Sequence, residues 1–426
     1  MTVPLIPTEL IAPAFNPATF GQRGVVHDLF TRLRRDYPLA KAEVPGFDPH
    51  WIVTKYNDLR EITRQDNIFH SADRSKTLAS QIAEKMMREY SGMPTIFKTL
   101  VHMDEPEHMD HRAVTQPMFY PQNVAKLQGQ VRDTARRYID QMLAKGPEVD
   151  FATELAFPYP AEVVLSLIGV PREDHPLMLD LTHWLFTYAD PDLCRPGADP
   201  TNPAEIIKTW DIVYSSFRDY YLPLVAARRA QPTGDVASVI ANGLIHGQPM
   251  DERNMVSYLA IASTAGHDTT SATTAMGMWV LAERPELFKQ LKDNPKLIPG
   301  FVEESIRWAT PVQQFVRSAT QDYVLSGQPI AKGDLLYLSY VSANRDEDIF
   351  KDPFTFDPER SPNRHIAFGY GNHNCLGQHL ARMEMKILWE ELLPRLASVE
   401  MNGQGQMAES EFVCGPKRVP IRYRLQ

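Results

Sequence analysis

The chain has 426 residues, of which 43% are hydrophobic and 23% charged, proportions that are usual for globular proteins and exclude a disordered or fibrous chain. Its net charge of −9 argues against a protein that binds nucleic acid or an anionic membrane, because both partners require a basic face. The three cysteines, Cys194, Cys375 and Cys414, do not form the even, dense set of a disulfide framework. We therefore expect a reduced, cytoplasmic protein.

The N-terminal residues MTVPLIPTELIAPAF have prolines inside the apolar run and no basic segment, so they do not predict a signal peptide. No stretch approaches about 18 uninterrupted apolar residues, so no membrane span is expected. The most apolar region, residues 256–281, carries Ser263, His267 and Asp268 in its middle. This pattern predicts a buried helix with a polar interruption.

The predicted elements follow a loop-rich start that ends near Gln22, and most of them are helices. The predicted helices cover residues 25–35, 57–64, 124–143, 161–168, 173–188, 204–228, 251–284, 286–294, 300–308 and 376–393. The predicted strands cover residues 50–56, 323–325, 335–338 and 418–424. Residues 76–100 lack a clean period and are expected to be irregular and functional. The sequence thus predicts a mainly α fold with a minor β part.

The most informative segment is residues 368–377, FGYGNHNCLG, in which glycines surround Cys375 just before a predicted helix. Backbone amides and the helix dipole at this position favour a thiolate. Such a thiolate can act as a nucleophile, a redox thiol or a metal ligand, whereas a lone cysteine is more often a buried structural residue. The glycines argue against a purely structural role, but the loop alone leaves the three chemical roles open.

The same segment resembles the haem-binding signature of the cytochromes P-450, F-G-x-G-x-H-x-C-x-G, at every defined position. The resemblance implies that Cys375 is the thiolate ligand of the iron of haem b, with Phe368 packed beside it. Gly377 would let a backbone amide approach the sulfur. It also implies one haem-enclosing domain over residues 1–426.

Two further motifs are found in the order that the family requires. Glu304 and Arg307 form an E-x-x-R pair, which in most proteins is a solvated surface pair. The resemblance instead implies a buried structural network that Arg360, in Pro358-Glu359-Arg360, completes.

The long predicted helix contains AGHDTT, residues 265–270, and its glycine and hydroxyl residues predict a locally opened helix with a groove. The alternative is a packing glycine with tolerated polar neighbours. In the family, Thr269 would hold hydroperoxide or water at the distal oxygen, and Asp268 would relay protons from solvent. His267 is assigned no role.

Haem carries two carboxylates that need cationic partners when they are buried. The resemblance implies four such residues: His108, Arg112, Arg317 and His373. His111 competes with His108, but its spacing to Arg112 does not match that of the family.

The sequence is especially similar to bacterial members that hydroxylate monoterpenoids, the α-terpineol-oxidising type, in STAGHDTT, SANRDE, SPNRH and CLGQHL. Substrate-pocket positions carried over from the family are mostly apolar and none is charged. They are Met93, Phe97, Met103, Ile261, Ala262, Ala265, Gly266, Thr269, Gln313, Phe315, Val413 and Cys414. Such a pocket suits a terpineol-like or p-cymene-like substrate bound by shape, with Gln313 available to a hydroxyl group.

The resemblance implies a monomeric monooxygenase that uses O2 and receives electrons from a separate 2Fe-2S ferredoxin and its NAD(P)H-dependent reductase. Because such ferredoxins are acidic, we expect a local basic patch on the surface. The candidate residues of this patch could equally well be ordinary charged residues on solvated helix faces. The candidates are Arg64, Lys126, Arg132, Arg136 and Arg382. The alternative functions are a non-catalytic haem sensor or carrier and a peroxide-using enzyme, and the presence of both Asp268 and Thr269 argues against them.

Overall fold

The computed structural model describes residues 3–426, and this part of the chain is mainly helical, as the sequence predicts. Its α-helices are α1 (Thr8–Ile11), α2 (Pro17–Phe20), α3 (Arg23–Asp36), α4 (Tyr56–Thr63), α5 (Gln81–Ser91), α6 (Glu107–Thr115), α7 (Pro121–Val124), α8 (Gln128–Ala144), α9 (Pro158–Ile168), α10 (His175–Phe186), α11 (Pro203–Ala230), α12 (Val236–Asn242), α13 (Glu252–Glu283), α14 (Pro285–Asp293), α15 (Ile298–Ala309), α16 (Tyr340–Ala343) and α17 (Gln378–Leu392).

The strands are short and form small sheets at the edges of the helical body. They are β1 (Leu39–Ala42), β2 (His50–Val53), β3 (Phe69–His70), β4 (Glu148–Asp150), β5 (Leu244–Ile245), β6 (Gln248–Pro249), β7 (Gln314–Ala319), β8 (Tyr323–Leu325), β9 (Gln328–Ile330), β10 (Leu335–Ser339), β11 (Leu396–Met401), β12 (Gln406–Met407), β13 (Pro416–Arg418) and β14 (Pro420–Leu425). The largest sheet has the order β1-β2-β10-β7-β3, in which β10 is parallel to β2 and antiparallel to β7.

Helix α13 is central to the fold, because it packs against α9, α11 and α15 and 23 of its 32 residues are buried. It begins as predicted at Asp251, whose carboxylate accepts a hydrogen bond from the Asn254 amide at 2.7 Å. A Cβ at Gly266 would lie 2.7 Å from Cγ1 of Val164, so this glycine allows α9 to cross closely. The helix continues without a break through Gly266, so the predicted local opening does not interrupt it.

One predicted irregular segment is wrong in part, because residues 76–100 contain α5. Ser80 caps this helix by accepting a hydrogen bond from the Ala83 amide, and Gly92 ends it with a φ of 75°. Ala83, Glu84 and Met87 form its buried side at helical spacing. The glutamate in this set obscures the period, since its charge suggests an exposed position.

Among residues 3–426, no helix is both long and apolar enough to cross a membrane.

Candidate active site

One face of α13 is left uncovered in the centre of the molecule. From Asn254 to Met278 every residue is buried except five, which recur at helical spacing. These five are Ile261, Ala262, Ala265, Gly266 and Thr269. A partly exposed stripe on an otherwise buried helix indicates an internal cleft, and its only polar side chain is the Thr269 hydroxyl. These five are the α13 members of the twelve positions that the family resemblance assigns to the substrate pocket.

The cysteine loop is held in a strained, compact conformation before α17. Gly369 and Gly371 both have φ angles of +76°, in the left-handed region that favours glycine. A Cβ at Gly371 would lie only 2.1 Å from the carbonyl oxygen of Thr63, so a larger residue would collide with the backbone there. The Cys375 amide donates to the Phe368 carbonyl oxygen at 2.7 Å and closes the loop.

Cys375 lies at the end of this loop with its side chain uncovered, yet burial raises the pKa of its thiol. Both observations hold for a thiol that faces an internal cleft. The backbone amides of Gly377 and Gln378 point at the sulfur and counteract the effect of burial on the pKa. The nearby guanidinium of Arg112 acts in the same direction. The two amides and Arg112 thus favour a thiolate at this position, and a further positive charge, such as a metal ion, would stabilise it more.

The four residues predicted to hold the haem carboxylates converge on one region. The rings of His108 and His373 stack with centroids 4.1 Å apart. Arg112 donates to the carbonyl oxygen of Asn374 at 2.8 Å, which ties α6 to the cysteine loop. Arg317 is 2% exposed, and its Nε has no partner within the described residues. His111 instead bonds the Glu107 carbonyl oxygen through Nδ1 at 2.8 Å.

Asp268 and Thr269 occupy two different environments on α13. The Thr269 hydroxyl donates to the carbonyl oxygen of Ala265 at 3.1 Å on the uncovered face. Asp268 is 7% exposed, and burial raises the pKa of its carboxyl to about 7. Its carboxyl lines a small cavity together with His183 of α10 and Lys417 of β13. A carboxyl with a pKa near neutrality at such a cavity is suited to proton transfer.

The other predicted pocket residues are placed unevenly. Phe97 and Met103 are buried in the same hydrophobic cluster against which Ile261 and Ala262 pack, and Met93 is half-buried. Phe315 is half-buried and contacts Phe412 with ring centroids 5.6 Å apart. Sequence reasoning missed Phe412, although it directly precedes the predicted Val413. Val413 itself is buried and lines the cavity of Asp268.

Two predicted pocket residues are turned away. Gln313 donates its amide to the carbonyl oxygens of Thr310 at 2.6 Å and Pro311 at 3.4 Å, so its donors serve the turn after α15 and not a ligand. Cys414 is packed in the hydrophobic cluster of the N-terminal helices, with its thiol near the carbonyl oxygens of Phe20 and Ala408.

The E-x-x-R residues form a fully buried ion-pair network. Arg307 donates to both carboxylate oxygens of Glu304, at 2.8 and 2.6 Å, and neither side chain is exposed to solvent. Arg360 donates to the same carboxylate at 3.2 Å, and Asn363 does so at 3.0 Å. Arg307 also donates to carbonyl oxygens of residues 344 and 353. The network joins α15 to the segment that leads into the cysteine loop.

The residues present fit haem b as the resemblance implies it. A thiol facing inward, an uncovered helix face and a set of cations around Arg317 are the three features that such a group requires. In particular, the buried Arg317 guanidinium forms no ion pair with a carboxylate among residues 3–426, and a haem carboxylate would provide one.

The comparisons with known proteins agree with this geometry. The sequence matches the family model described as Cytochrome P450 over residues 8–421. Cytochrome P450-terp of a Pseudomonas species is 40% identical over 419 residues, which cover 98% of each chain. The crystal structure of CYP108D1 from Novosphingobium aromaticivorans is 40% identical, covers 100% of both chains and has a TM-score of 0.92. Linalool 8-monooxygenase of Pseudomonas putida is 29% identical over 409 residues, 95% of this chain and 97% of that relative.

Proposed function

Since the chain belongs to the cytochrome P450 family of monooxygenases, which bind haem b through a cysteine thiolate, we propose that it hydroxylates a small, nearly neutral terpenoid or alkylbenzene. The observation that carries this proposal is the uncovered face of α13, whose only polar side chain is the Thr269 hydroxyl. A cleft without charged groups selects a ligand by shape and apolar contact. The names of two relatives, Cytochrome P450-terp and linalool 8-monooxygenase, support the same substrate class.

We propose that Cys375 is the iron ligand and that His108, Arg112, Arg317 and His373 hold the haem carboxylates. When bound, haem supplies the activation of O2, so that one oxygen atom enters a C–H bond and the other leaves as water with two protons and two electrons. The amides of residues 377 and 378 stabilise the negative charge on the cysteine sulfur. The ring of Phe368 packs against Arg382, and the Arg382 guanidinium lies 4.4 Å from the centroid of the Phe368 ring.

The two protons require a path from solvent into the cleft. In the proposed mechanism Asp268 takes up protons from the cavity that it shares with His183 and Lys417. Its pKa of about 7 makes both uptake and release accessible near neutral pH. The Thr269 hydroxyl, one residue further on the uncovered face, holds and orients the species that receives the proton. Glu304, Arg307 and Arg360 have a structural role in this proposal.

The substrate proposal is tested by spin-state titration of the ferric holoprotein with α-terpineol, p-cymene and a long-chain fatty acid. A ligand that fills the cleft displaces water from the iron, and the Soret band shifts to shorter wavelength. The expected result is a saturable shift with the neutral ten-carbon compounds and none with the fatty acid. A response to the fatty acid alone would contradict the apolar, shape-selected cleft, and a shift with none of the three would remove the terpenoid proposal.

We also propose a 2Fe-2S ferredoxin with its reductase as electron donor, in the cytoplasm, and a monomeric enzyme. The basic patch is smaller than the sequence suggests. Arg132 and Arg136 form ion pairs with Glu390 and Glu391, and Arg382 pairs with Glu303. In contrast, Arg64 forms no ion pair within residues 3–426. Its Cα lies 3.6 Å from the position of a Cβ on Gly371, so it adjoins the cysteine loop.

The electron-donor face is tested with reconstituted ferredoxin at concentrations below saturation. Arg64→Glu is expected to slow electron transfer, because a charge at the edge of an interface mainly changes the association rate. Arg136→Glu is the matched control, since its charge already pairs with Glu391. Equal rates for the two variants would contradict the assignment of Arg64 to this face.

A further inference from the structure

Lys76 is a buried lysine that no motif explains. It lies between β3 and α5, and its carbonyl oxygen accepts a hydrogen bond from the Val316 amide of β7 at 2.7 Å. This bond fixes Lys76 beside the residue that precedes Arg317. The side chain is 1% exposed, and its ammonium lies 5.1 Å from the ring centroid of Phe315. Its one hydrogen bond is to Oγ of Ser71, at 2.6 Å.

A buried ammonium without a carboxylate partner is costly, because one hydroxyl does not replace the hydration of a full charge. Lys76 forms no ion pair with any carboxylate in the part of the chain that the structure describes. The charges of Asp104 and Asp66 raise the pKa of Lys76, but neither carboxylate forms an ion pair with it among residues 3–426. Asp104 accepts from the amides of Ser71 and Ala72, and the buried Asp66 carboxyl has no hydrogen-bond partner among the described residues.

The charge of Lys76 acts on the cations already described. Burial lowers the pKa of Lys76, and the neighbouring Arg317 lowers it further. After burial, Lys76 and then Arg317 are the strongest influences that lower the pKa of His373. Lys76 also lowers the pKa of His102, which is about 3 mainly because of burial. Lys76 therefore belongs to the same electrostatic cluster as Arg317 and His373, in which Asp104 and Asp66 are the opposing charges.

From the burial of Lys76, its backbone bond beside Arg317 and the absence of an ion pair to its ammonium among residues 3–426, we propose that Lys76 is a fifth residue that holds the haem carboxylates. The inference rests on the haem site of the proposed function and adds a residue from a segment that carries no motif. A positive charge at this position would stabilise the reduced, less positive iron and slow the loss of haem.

The first test measures the reduction potential of substrate-free holoprotein and the rate of haem transfer to apomyoglobin for Lys76→Met. We expect the equilibrium constant for one-electron reduction to fall about tenfold, equivalent to a potential about 59 mV lower. Haem transfer should become several-fold faster. Lys76→Arg, which keeps the charge, should resemble the wild type. Lys85→Met is the matched control, because Lys85 is an exposed lysine that faces Glu89 in α5.

The second test reconstitutes the proteins with haem dimethyl ester, which lacks the two carboxylates. The difference in haem retention between wild type and Lys76→Met should then disappear. If Lys76→Met does not fold, Lys76→Gln retains a hydrogen-bond donor for Ser71 and replaces it in both measurements. Unchanged potential and retention, or a difference that persists with the ester, would overturn the proposal. Failure of the haem-thiolate function itself would appear separately, in the carbon monoxide spectrum of the wild type.

Discussion

A substitution of Thr269 should change the proposed reaction without changing haem binding. Its hydroxyl donates to the carbonyl oxygen of Ala265 and is the only polar side chain of the uncovered face of α13. In Thr269→Ala the cleft keeps its apolar lining but loses the group that orients the proton acceptor. We expect haem binding to be unchanged, while product per NADH consumed falls several-fold and peroxide rises. Quantifying product, NADH and peroxide in one assay measures this.

Thr264→Ala is the matched control for this change. The Thr264 hydroxyl makes the same type of bond, to the carbonyl oxygen of Ala260 at 2.9 Å, but it is fully buried away from the cleft. It should therefore leave the ratio of product to NADH unchanged. If Thr269→Ala and Thr264→Ala behave alike, the role assigned to Thr269 is wrong.

The buried carboxyl of Asp268 should make the free energy of unfolding depend on pH. Burial raises the pKa of this carboxyl to about 7, so the folded protein binds its proton more tightly than the unfolded chain does. The resulting stabilisation is complete below the unfolded pKa and is lost as the pH rises through about 7. Relative to Asp268→Asn, the wild type should lose about 3 kcal/mol of unfolding free energy between pH 5 and pH 8. Urea unfolding at several pH values measures the difference; parallel profiles would contradict it.

At the scale of elements, the cysteine loop requires a glycine at position 371 for its φ angle and also for a close contact with the backbone. Gly197, in a different loop, has the same φ angle without the close contact. Gly371 and Gly197 both have a φ of +76°, but a Cβ at Gly197 meets no atom within 4 Å. Gly197→Ala should therefore cost only the strain of a left-handed alanine, about 1 kcal/mol, without a change at the iron. Gly371→Ala adds a collision with the Thr63 carbonyl oxygen and should displace the loop. We expect loss of the thiolate spectrum in Gly371→Ala alone; an intact spectrum there would contradict the close contact.

The elements also show what a sequence can predict. The N-cap at Asp251 and the end of α9 at Gly169 were predictable because capping and left-handed termination depend on local residues. Helix α5 was not recognised, since its buried side includes a glutamate. That Glu84 is held by Arg74, ten residues earlier, a contact that only the tertiary structure supplies.

The residues of the candidate site also differ in how well the sequence predicts them. The cysteine loop was predicted from its motif, and the five residues on the face of α13 were carried over from the family resemblance. Gln313 and Cys414 were placed in the pocket by alignment of positions alone, and the structure turns both away. Lys76 gave no sequence signal, because a lysine in a polar segment suggests an exposed position. Its burial depends on the pairing of its backbone with β7.

At the scale of the whole molecule, the cysteine loop and the uncovered face of α13 are each held in place by buried contacts. The buried carboxylate of Glu304 joins α15 through Arg360 to the segment before the cysteine loop, and α13 packs against α9, α11 and α15. The net charge of −9 describes the surface as a whole. It coexists with a cationic interior around Arg317, which the carboxylates of haem would balance.

Ligation of the haem iron by Cys375 is tested most directly by the spectrum of the reduced, carbon-monoxide-bound protein. We expect the strongly red-shifted Soret band of thiolate ligation for the wild type and for Cys194→Ser and Cys414→Ser. The band should be lost in Cys375→Ser, because the other two cysteines lie elsewhere in the fold. An unshifted band in the wild type, or a red-shifted band that survives in Cys375→Ser, would contradict thiolate ligation by Cys375.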